Sequence, residues 1–331
     1  MSRSSTLTGL AIAVVAAMAF GMSGPFVKPL LEAGWSPAAA VTVRALVGGL
    51  VLLPFAIVAL RGRWSAVWRA RSRILAIGLV GVAATQLAYF AAIERIPVGT
   101  GILIEFMAPL LLVLVVWVRS RKAPKLVVLA GSVFALMGLG LVVSPSGESS
   151  LDLLGLAFAA AAMVGCAVYF VAAAKDDGLP TVAVASISLI LGGVALGVVG
   201  LTGIIPFHGS VEPVILFGGA VAWWIPMLIV GVIATAVAYA VSIKASQLLG
   251  SRLASFAGLL EVVAATFFAW LLLGEQLTIL QLAGGVLILI GIGFVRSEKT
   301  DADLPAPMDP ASLEPVVSRP STLSGQRSRR V

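Results

Sequence analysis

Gly81-Val-Ala-Ala-Thr-Gln-Leu-Ala-Tyr89 recurs 150 residues later as Gly231-Val-Ile-Ala-Thr-Ala-Val-Ala-Tyr239. Further along the chain the offset becomes 153, where Gly131 matches Gly284. An insertion of three residues between the two matches explains the change. The repetition predicts two copies of one structural unit.

The repeated stretch lies in a chain that is too apolar for a soluble protein. Hydrophobic residues make up 60% of it and charged residues 11%, whereas soluble domains carry roughly a quarter charged residues. Ten apolar stretches of about 20 residues are each long enough to cross the hydrocarbon as a helix. The predicted spans are residues 8–31, 37–60, 74–94, 98–118, 125–143, 153–174, 181–203, 222–243, 253–273 and 278–296. We therefore predict an all-α polytopic membrane protein with ten transmembrane helices.

The number of spans in each copy fixes how the copies are related. Because five is odd, the second copy enters the bilayer with the opposite polarity, which gives the inverted repeat found in many secondary transporters. We expect an N-terminal five-helix repeat over residues 1–146 and a C-terminal one over 147–296. Residues 297–331 are rich in proline, serine and charge, with little to bury, and predict a disordered cytoplasmic tail.

Lysines and arginines set the expected orientation. Of the 22 in the chain, Arg44 lies deep within a span, and Lys28 and Arg95 lie at predicted outer span ends. All the others gather on the side that holds both termini. Cytoplasmic loops carry such an excess, so both termini are expected in the cytoplasm and the chain in the plasma (inner) membrane. The net charge of +7 is then explained by anionic lipid, and no nucleic-acid partner is expected.

Few residues are suited to cofactor or enzyme chemistry. Cys166 is the single cysteine and His208 the single histidine, so neither an intrachain disulfide nor a cluster of metal ligands is expected. The sequence contains no phosphate-binding loop for ATP. A lipid-modifying enzyme would need clustered His, Asp or Ser groups near one interface. We therefore expect no cofactor, no metal and no enzymatic activity.

Three ionisable side chains fall deep within predicted spans, where charge is costly and usually functional. Arg44 in the second span and Glu105 in the fourth are expected at similar depth, as an ion pair that is either functional or a structural lock. Glu261 lies near the midplane of the ninth span, with no cation expected at its depth. Burial favours the neutral form of a carboxyl, so Glu261 is the first candidate for binding and releasing a proton. The alternative is a protonated carboxyl that only hydrogen-bonds a neighbouring helix.

Three further residues are predicted to bind substrate or couple its transport. Gly258 lies three positions before Glu261 and shares its helix face, where a small residue leaves room for substrate or for close helix packing. Tyr89 and Gln86 place polar groups on the third span. Tyr89 is near the end of that span, so an interfacial anchor is the alternative interpretation.

Two predicted spans contain residues that interrupt a helix. Gly24 and Pro25 fall in the first span, and Pro109 falls near the centre of the fourth. In transporters such breaks tend to mark binding sites or hinges, although a proline kink is also an ordinary packing device. We predict a hinge or helix break at each place.

Several of these segments together resemble a known family. They are the repeated Gly81-x-x-x-Thr-x-x-x-Tyr89, the Pro109 segment, and Leu259-Leu-Glu-Val-Val263 followed by Trp270-Leu-Leu-Leu-Gly-Glu-Gln-Leu-Thr278. This pattern resembles the EamA-type branch of the drug/metabolite transporter superfamily over residues 8–296. The resemblance implies ten helices in two repeats. Val262 stands where the family usually has the proline of Glu-Pro-Val, so the break expected there is not predicted for this chain.

A narrower resemblance bears on the substrate. Ala91-Ala-Ile-Glu-Arg-Ile-Pro-Val-Gly99 and Ile104-Glu-Phe-Met-Ala-Pro-Leu110 are similar to the threonine/homoserine exporter group. The resemblance implies efflux of small amino acids or related metabolites. We therefore expect a secondary-active exporter of small molecules that works by alternating access, with protons as the candidate coupling ion. The alternative is a non-transporting receptor or assembly factor, in which the helix breaks and intramembrane charges would be dispensable.

Overall fold

The computed structural model describes residues 3–93, 95–96, 101, 104–143, 152–216, 218–273 and 278–297, which are mostly helical. The helices are α1 (Arg3–Gly21), α2 (Ser23–Glu32), α3 (Pro37–Leu60), α4 (Trp64–Arg69), α5 (Arg71–Leu75), α6 (Thr85–Ile93), α7 (Ala108–Ser120), α8 (Leu126–Val143), α9 (Leu153–Ala173), α10 (Thr181–Leu201), α11 (Trp224–Gly231), α12 (Ala238–Gly258), α13 (Leu260–Leu273) and α14 (Ile279–Ser297). Two π-helical segments, Ala76–Ala84 and Val232–Val237, join α5 to α6 and α11 to α12. Each lies in or beside one copy of the repeated sequence.

The described helices include six that are long and apolar enough to cross a membrane. They are Thr6–Glu32, Pro37–Leu60, Arg71–Ala92, Leu153–Ala173, Thr181–Leu201 and Trp224–Gly258. Shorter apolar helices cover Ala108–Ser120, Leu126–Leu141, Leu260–Leu272 and Leu282–Val295. The predicted helical membrane protein is thus confirmed. Ten spans, inverted repeats and cytoplasmic termini stay predictions, and residues 298–331 of the predicted tail lie outside the described residues.

A small β-hairpin departs from the all-α prediction. Strands β1 (Val214–Leu216) and β2 (Gly219–Val221) pair antiparallel, with Val214 opposite Val221. Val214 and Leu216 are buried and Ile215 is exposed, as expected for side chains that alternate between the two faces of a strand. Gly218 adopts a φ of +76° in the turn, which costs glycine little.

Helices from the two halves of the chain pack against each other in a regular order. The principal packed pairs are α1 with α12, α3 with α10, α6 with α9, and α8 with α14. In chain order, α1 of the first half corresponds to α9 of the second, α3 to α10, α6 to α12 and α8 to α14. When the two halves are exchanged in this way, the α1–α12 pair becomes the α9–α6 pair, and the other two pairs stay the same. Each half therefore buries its apolar surface mainly against the other half.

The pair formed by α8 and α14 packs backbone to backbone. A Cβ atom added to Gly138 would lie 2.5 Å from the carbonyl oxygen of Gly284, and one added to Gly131 would lie 2.8 Å from that of Gly291. The offset of 153 relates Gly131 to Gly284 and Gly138 to Gly291, so the second contact repeats the first with the two halves exchanged. Small residues permit such close approach between membrane helices.

Candidate functional site

Three of the apolar helices are interrupted. The first span turns at Met22, between α1 and α2, and the fourth turns at Phe106 and Met107, just before α7. Pro25 is the third residue of α2 and Pro109 the second of α7. The first-turn amides of a helix have no partner within it, so a proline there removes no hydrogen bond. Each turn falls just before its proline, at Met22 and at Met107; that these places act as hinges stays a prediction.

A third break falls in the ninth span at Leu259, between α12 and α13. The Leu259 amide donates to Phe256 O and the Val262 amide to Leu259 O, which are the tighter i→i+3 bonds of a 3₁₀ turn. The ninth span is thus broken although Val262 stands in place of the family's proline. Gly258, a poor helix former, precedes the turn and favours it without proline.

The breaks surround one cavity. It has a volume of about 330 Å³, and Ser23, Phe106 and Gly258, one from each break, line it. The structure brings all six predicted substrate-binding or coupling residues to its wall: Arg44, Gln86, Tyr89, Glu105, Gly258 and Glu261. Of the predicted hinge residues, Gly24 also lines it. Pro25 and Pro109 are buried and support the breaks from outside the cavity wall.

The cavity holds one cation and two carboxyl groups. Arg44 Nη1 donates a hydrogen bond of 2.8 Å to Ser23 Oγ at the break of the first span. Among the described residues, no ion pair within 4.0 Å joins Arg44 to Glu105 or to Glu261. The predicted direct Arg44–Glu105 pair is therefore absent from this conformation.

Glu261 nevertheless shares its cavity with a cation, because Arg44 faces the same space. Depth counted along single spans could not show that the second, fourth and ninth spans converge on one cavity.

Both carboxyl groups lie beside a helix N-terminus. Glu261 is the second residue of α13, and Glu105 comes three residues before Ala108, the first residue of α7. The N-terminal end of a helix carries a partial positive charge that stabilises negative charge nearby. The helix breaks thus do more than bend the spans, since they provide a polar environment for acidic groups at membrane depth.

All three tyrosines of the chain line the cavity. The Tyr169 hydroxyl donates to Ser242 Oγ over 2.9 Å. The Tyr169 ring meets the Tyr239 ring edge to face at 5.7 Å, and Phe20 meets Tyr239 in the same way at 5.0 Å. Sequence reasoning did not select Tyr169 or Ser242. The rarity of tyrosine, with three in 331 residues, was the signal that could have pointed to Tyr169.

A second hydroxyl lies one helical turn beyond Ser242. Ser246 is buried and lines the cavity, and its Oγ makes no hydrogen bond within the described part of the chain. An unpaired buried hydroxyl is costly, so it is suited to contact a bound molecule or water. Cys166 also lines the cavity. Within the described ranges, no group of three His, Cys, Asp or Glu side chains is placed to hold a metal ion.

The sequence of the chain matches a protein-family model twice, over residues 7–144 and 153–297, and that model describes the EamA-like transporter family. The chain belongs to the EamA-like transporter family. The family accounts for a membrane transporter as the general class of this protein. It does not specify the substrate or the direction of transport.

Two curated relatives are similar along nearly their whole length. One is the uncharacterized inner membrane transporter YicL of Salmonella typhimurium, 26% identical over 306 residues that cover 87% of this chain and 95% of that protein. The other is an uncharacterized transporter of Archaeoglobus fulgidus, 26% identical over 287 residues, or 86% and 94%. A solved crystal structure matches with a TM-score of 0.69 at 20% identity, covering 89% of this chain and 97% of that one. The structural match supports the fold alone.

Proposed function

We propose that this protein is a secondary-active exporter of small metabolites such as amino acids, and that it works by alternating access between two inverted five-helix repeats. The observation that carries the proposal is the cavity that both halves line with Arg44, Glu105 and Glu261. Charged groups at membrane depth are expensive, and transporters retain them where substrates or ions bind. Family membership supports the general class.

The chemistry of the cavity favours a zwitterionic substrate. Arg44 suits a carboxylate, since guanidinium groups bind carboxylates with two hydrogen bonds. Glu105 and Glu261 suit an ammonium group, as do the tyrosine ring faces. A volume of about 330 Å³ is at the small end of ligand sites and fits a small metabolite. An amino acid carries both charges on one small skeleton.

The helix packing supports the inverted-repeat mechanism. The pairs between halves are preserved when the halves are exchanged, and the family model matches each half separately. Such a scaffold allows one half to rock against the other around a central site. We assign residues 1–146 and 147–296 to the two repeats and place both termini in the cytoplasm.

Labelling of introduced cysteines tests this orientation. In a Cys166→Ala background, the variants Ser65→Cys and Ser120→Cys should be protected from an impermeant thiol reagent added outside. The variant Ser146→Cys should react, although residue 146 lies outside the described residues. Reaction of Ser120→Cys together with protection of Ser146→Cys would reverse the proposed orientation.

Counterflow in proteoliposomes tests transport itself. Vesicles loaded with a pooled panel of metabolites should take up a radiolabelled panel member only if the protein exchanges it. We expect exchange of one or a few zwitterionic compounds. Absence of exchange for every compound, with protein that is folded in the vesicles, would favour the receptor or assembly-factor alternative.

Glu261 is proposed as the group that exchanges a proton for substrate, with Glu105 as the next candidate. Glu261→Gln keeps the size and hydrogen bonding of the protonated side chain but cannot titrate. It should lose transport driven by a pH gradient and keep counterflow. Glu105→Gln is made in parallel, and loss of gradient-driven transport in that variant alone would assign the proton to Glu105. Wild-type gradient-driven rates in Glu261→Gln would leave this carboxyl as a packing group.

A further inference from the structure

A groove on the surface of the bundle lies at the C-terminal end of α3. It has a volume of about 790 Å³ and is lined by Pro54, Phe55, Val58, Ala59, Arg61 and Arg63. The apolar part is open, since Phe55 is 64% and Val58 72% exposed. In a membrane-spanning helix such a surface faces acyl chains. The groove therefore joins an apolar, lipid-facing wall to a positively charged end.

The two arginines are held at this end by the geometry of the turn. Arg61 caps α3 in the left-handed conformation, with φ of 48°, and Gly62 follows with φ of 78°. These two residues reverse the chain, and Arg63 Nε then donates to Leu60 O over 3.3 Å. Arg63 is thereby fixed beside the helix end, close to the apolar wall. No acidic side chain is among the described residues that line the groove.

Residues after the groove are typical of the membrane interface. Trp64 and Trp68 on α4 are exposed, and indole rings prefer the level of the lipid head groups. Arg71 lies over the Trp68 ring at 5.3 Å. The charged end of the groove is therefore expected at the depth of lipid phosphates, with its apolar wall directed toward the hydrocarbon.

We propose that this groove is a binding site for one anionic phospholipid. The phosphate binds Arg61 and Arg63, and an acyl chain lies along Phe55 and Val58. We expect an anionic head group to bind better than a zwitterionic one. The described lining has two arginines and no acidic side chain, so the lipid must supply the negative charge that balances them. Basic residues elsewhere on the surface attract anionic lipid diffusely, whereas this groove also has a wall for a chain.

Native mass spectrometry of the intact protein tests the site. The protein is offered equal amounts of dioleoylphosphatidylglycerol and dioleoylphosphatidylcholine in detergent, and retained lipids are counted. We expect retention of the phosphatidylglycerol to exceed that of the phosphatidylcholine by roughly thirtyfold, as two interfacial cations would give. The double substitution Arg61→Gln and Arg63→Gln should bring the two lipids to similar retention.

The matched control is the pair Arg119→Gln and Arg121→Gln. These arginines are also exposed at a helix end, and Arg121 is also a left-handed cap with φ of 53°. The control should keep the preference. An equal loss in both double variants would show diffuse attraction to surface charge and overturn the proposal, as would an absence of preference in the wild-type protein.

The apolar wall has its own test. Phe55→Ala should lower phosphatidylglycerol retention several-fold without changing the charge, whereas Trp117→Ala, an exposed residue beside the control arginines, should not. Competition by sn-glycerol 3-phosphate as strong as that by the lipid would assign a phosphate site without a chain and contradict the groove. Equal melting temperatures in phosphatidylcholine nanodiscs confirm that each variant is folded. If the double arginine variant does not fold, the Phe55→Ala and competition measurements decide.

Discussion

Arg73 and Trp223 are related by the offset of 150 and lie at the start of the third predicted span of each half. Their contacts, at opposite ends of α3, differ in chemistry. Arg73 is 2% exposed and forms an ion pair of 2.7 Å with Asp177. It also donates to the carbonyl oxygens of Ala172 and Ala173 at the end of α9. Trp223 instead packs against Trp35, with ring centroids 5.3 Å apart.

At the other end, the described hydrogen bonds of Trp35 and Ser36 join neutral groups. Trp35 Nε1 donates to Ser210 O over 2.7 Å. Ser36 Oγ donates to His208 O and accepts from the His208 amide, at 3.1 and 3.0 Å. The 24 residues of α3 separate this end from Arg73, a length of about 36 Å.

The difference shows that a duplicated scaffold need not use the same interaction at its two ends. The ion pair at the Arg73 end depends on charge, whereas the Trp35 end depends on packing and neutral hydrogen bonds. Each end can therefore be weakened without a direct effect on the other. In an alternating-access transporter, a mutation could then weaken the contacts at one end and leave those at the other end intact.

The largest effect is expected at the Trp35 end. Trp35→Ala removes the ring contact with Trp223 and the hydrogen bond to Ser210 O, and should lower the free energy of unfolding by about 3 kcal/mol. Thermal or denaturant unfolding in detergent measures the change. Trp68→Ala is the control, because its ring is 71% exposed. A similar loss in both variants would show that burial at this end contributes little.

Removal of the charge at the other end should have a smaller effect. Asp177→Asn keeps the side-chain oxygen that accepts from the Leu179 amide but leaves Arg73 buried without its carboxylate. Since Asp177 is 30% exposed, the expected destabilisation is about 2 kcal/mol, below the value for a fully buried pair. Asp176→Asn, at an exposed neighbouring position, should change the unfolding free energy little. Equal effects of the two substitutions would exclude a specific role for the ion pair.

Ser36 makes a modest contribution to stability at the Trp35 end. Its Oγ caps α3 by accepting from the Ala39 amide and also bonds both backbone groups of His208. Ser36→Ala should cost about 1 kcal/mol. Ser210→Ala is the control, because the Ser210 hydroxyl bonds only to the nearby Glu212 amide among described residues, and the contact with Trp35 uses its backbone oxygen. A destabilisation by Ser210→Ala as large as that by Ser36→Ala would contradict this assignment.

The smallest effects are expected on the rate at which a reagent reaches the cavity from each side of the membrane. Cys166 is the single cysteine of the chain and lines the cavity, so an impermeant thiol reagent reports access to it. Asp177→Asn should raise the labelling rate a few-fold from the Arg73 side only. Trp35→Ala should do so from the Trp35 side only. Inside-out and right-side-out vesicles distinguish the two, and faster labelling from both sides in either variant would indicate general loosening.

Much of the fold could be predicted from hydropathy and repetition, because helices in lipid must be long, apolar and internally hydrogen-bonded. The convergence of Arg44 and Glu261 could not, since it depends on how three spans cross. Neither could the break at Leu259, because only the backbone bonds of a 3₁₀ turn identify it without a proline. Arg73 illustrates the same limit. In the sequence it is one of several loop cations, and its burial becomes evident only when α9 ends beside it.

The paired glycines of α8 and α14 have a mechanical consequence. Ala135 and Ile288 already border this seam, each 2.9 Å from the position of a Cβ atom added to Gly291 or Gly138. A slide of one helical turn, about 5.4 Å, would bring larger side chains against the backbone that now meets a glycine. We therefore expect sliding along the seam to cost more than rotation about the crossing. We expect the seam to act as a pivot with a fixed register, so a cross-link placed there should be tolerated throughout the working cycle.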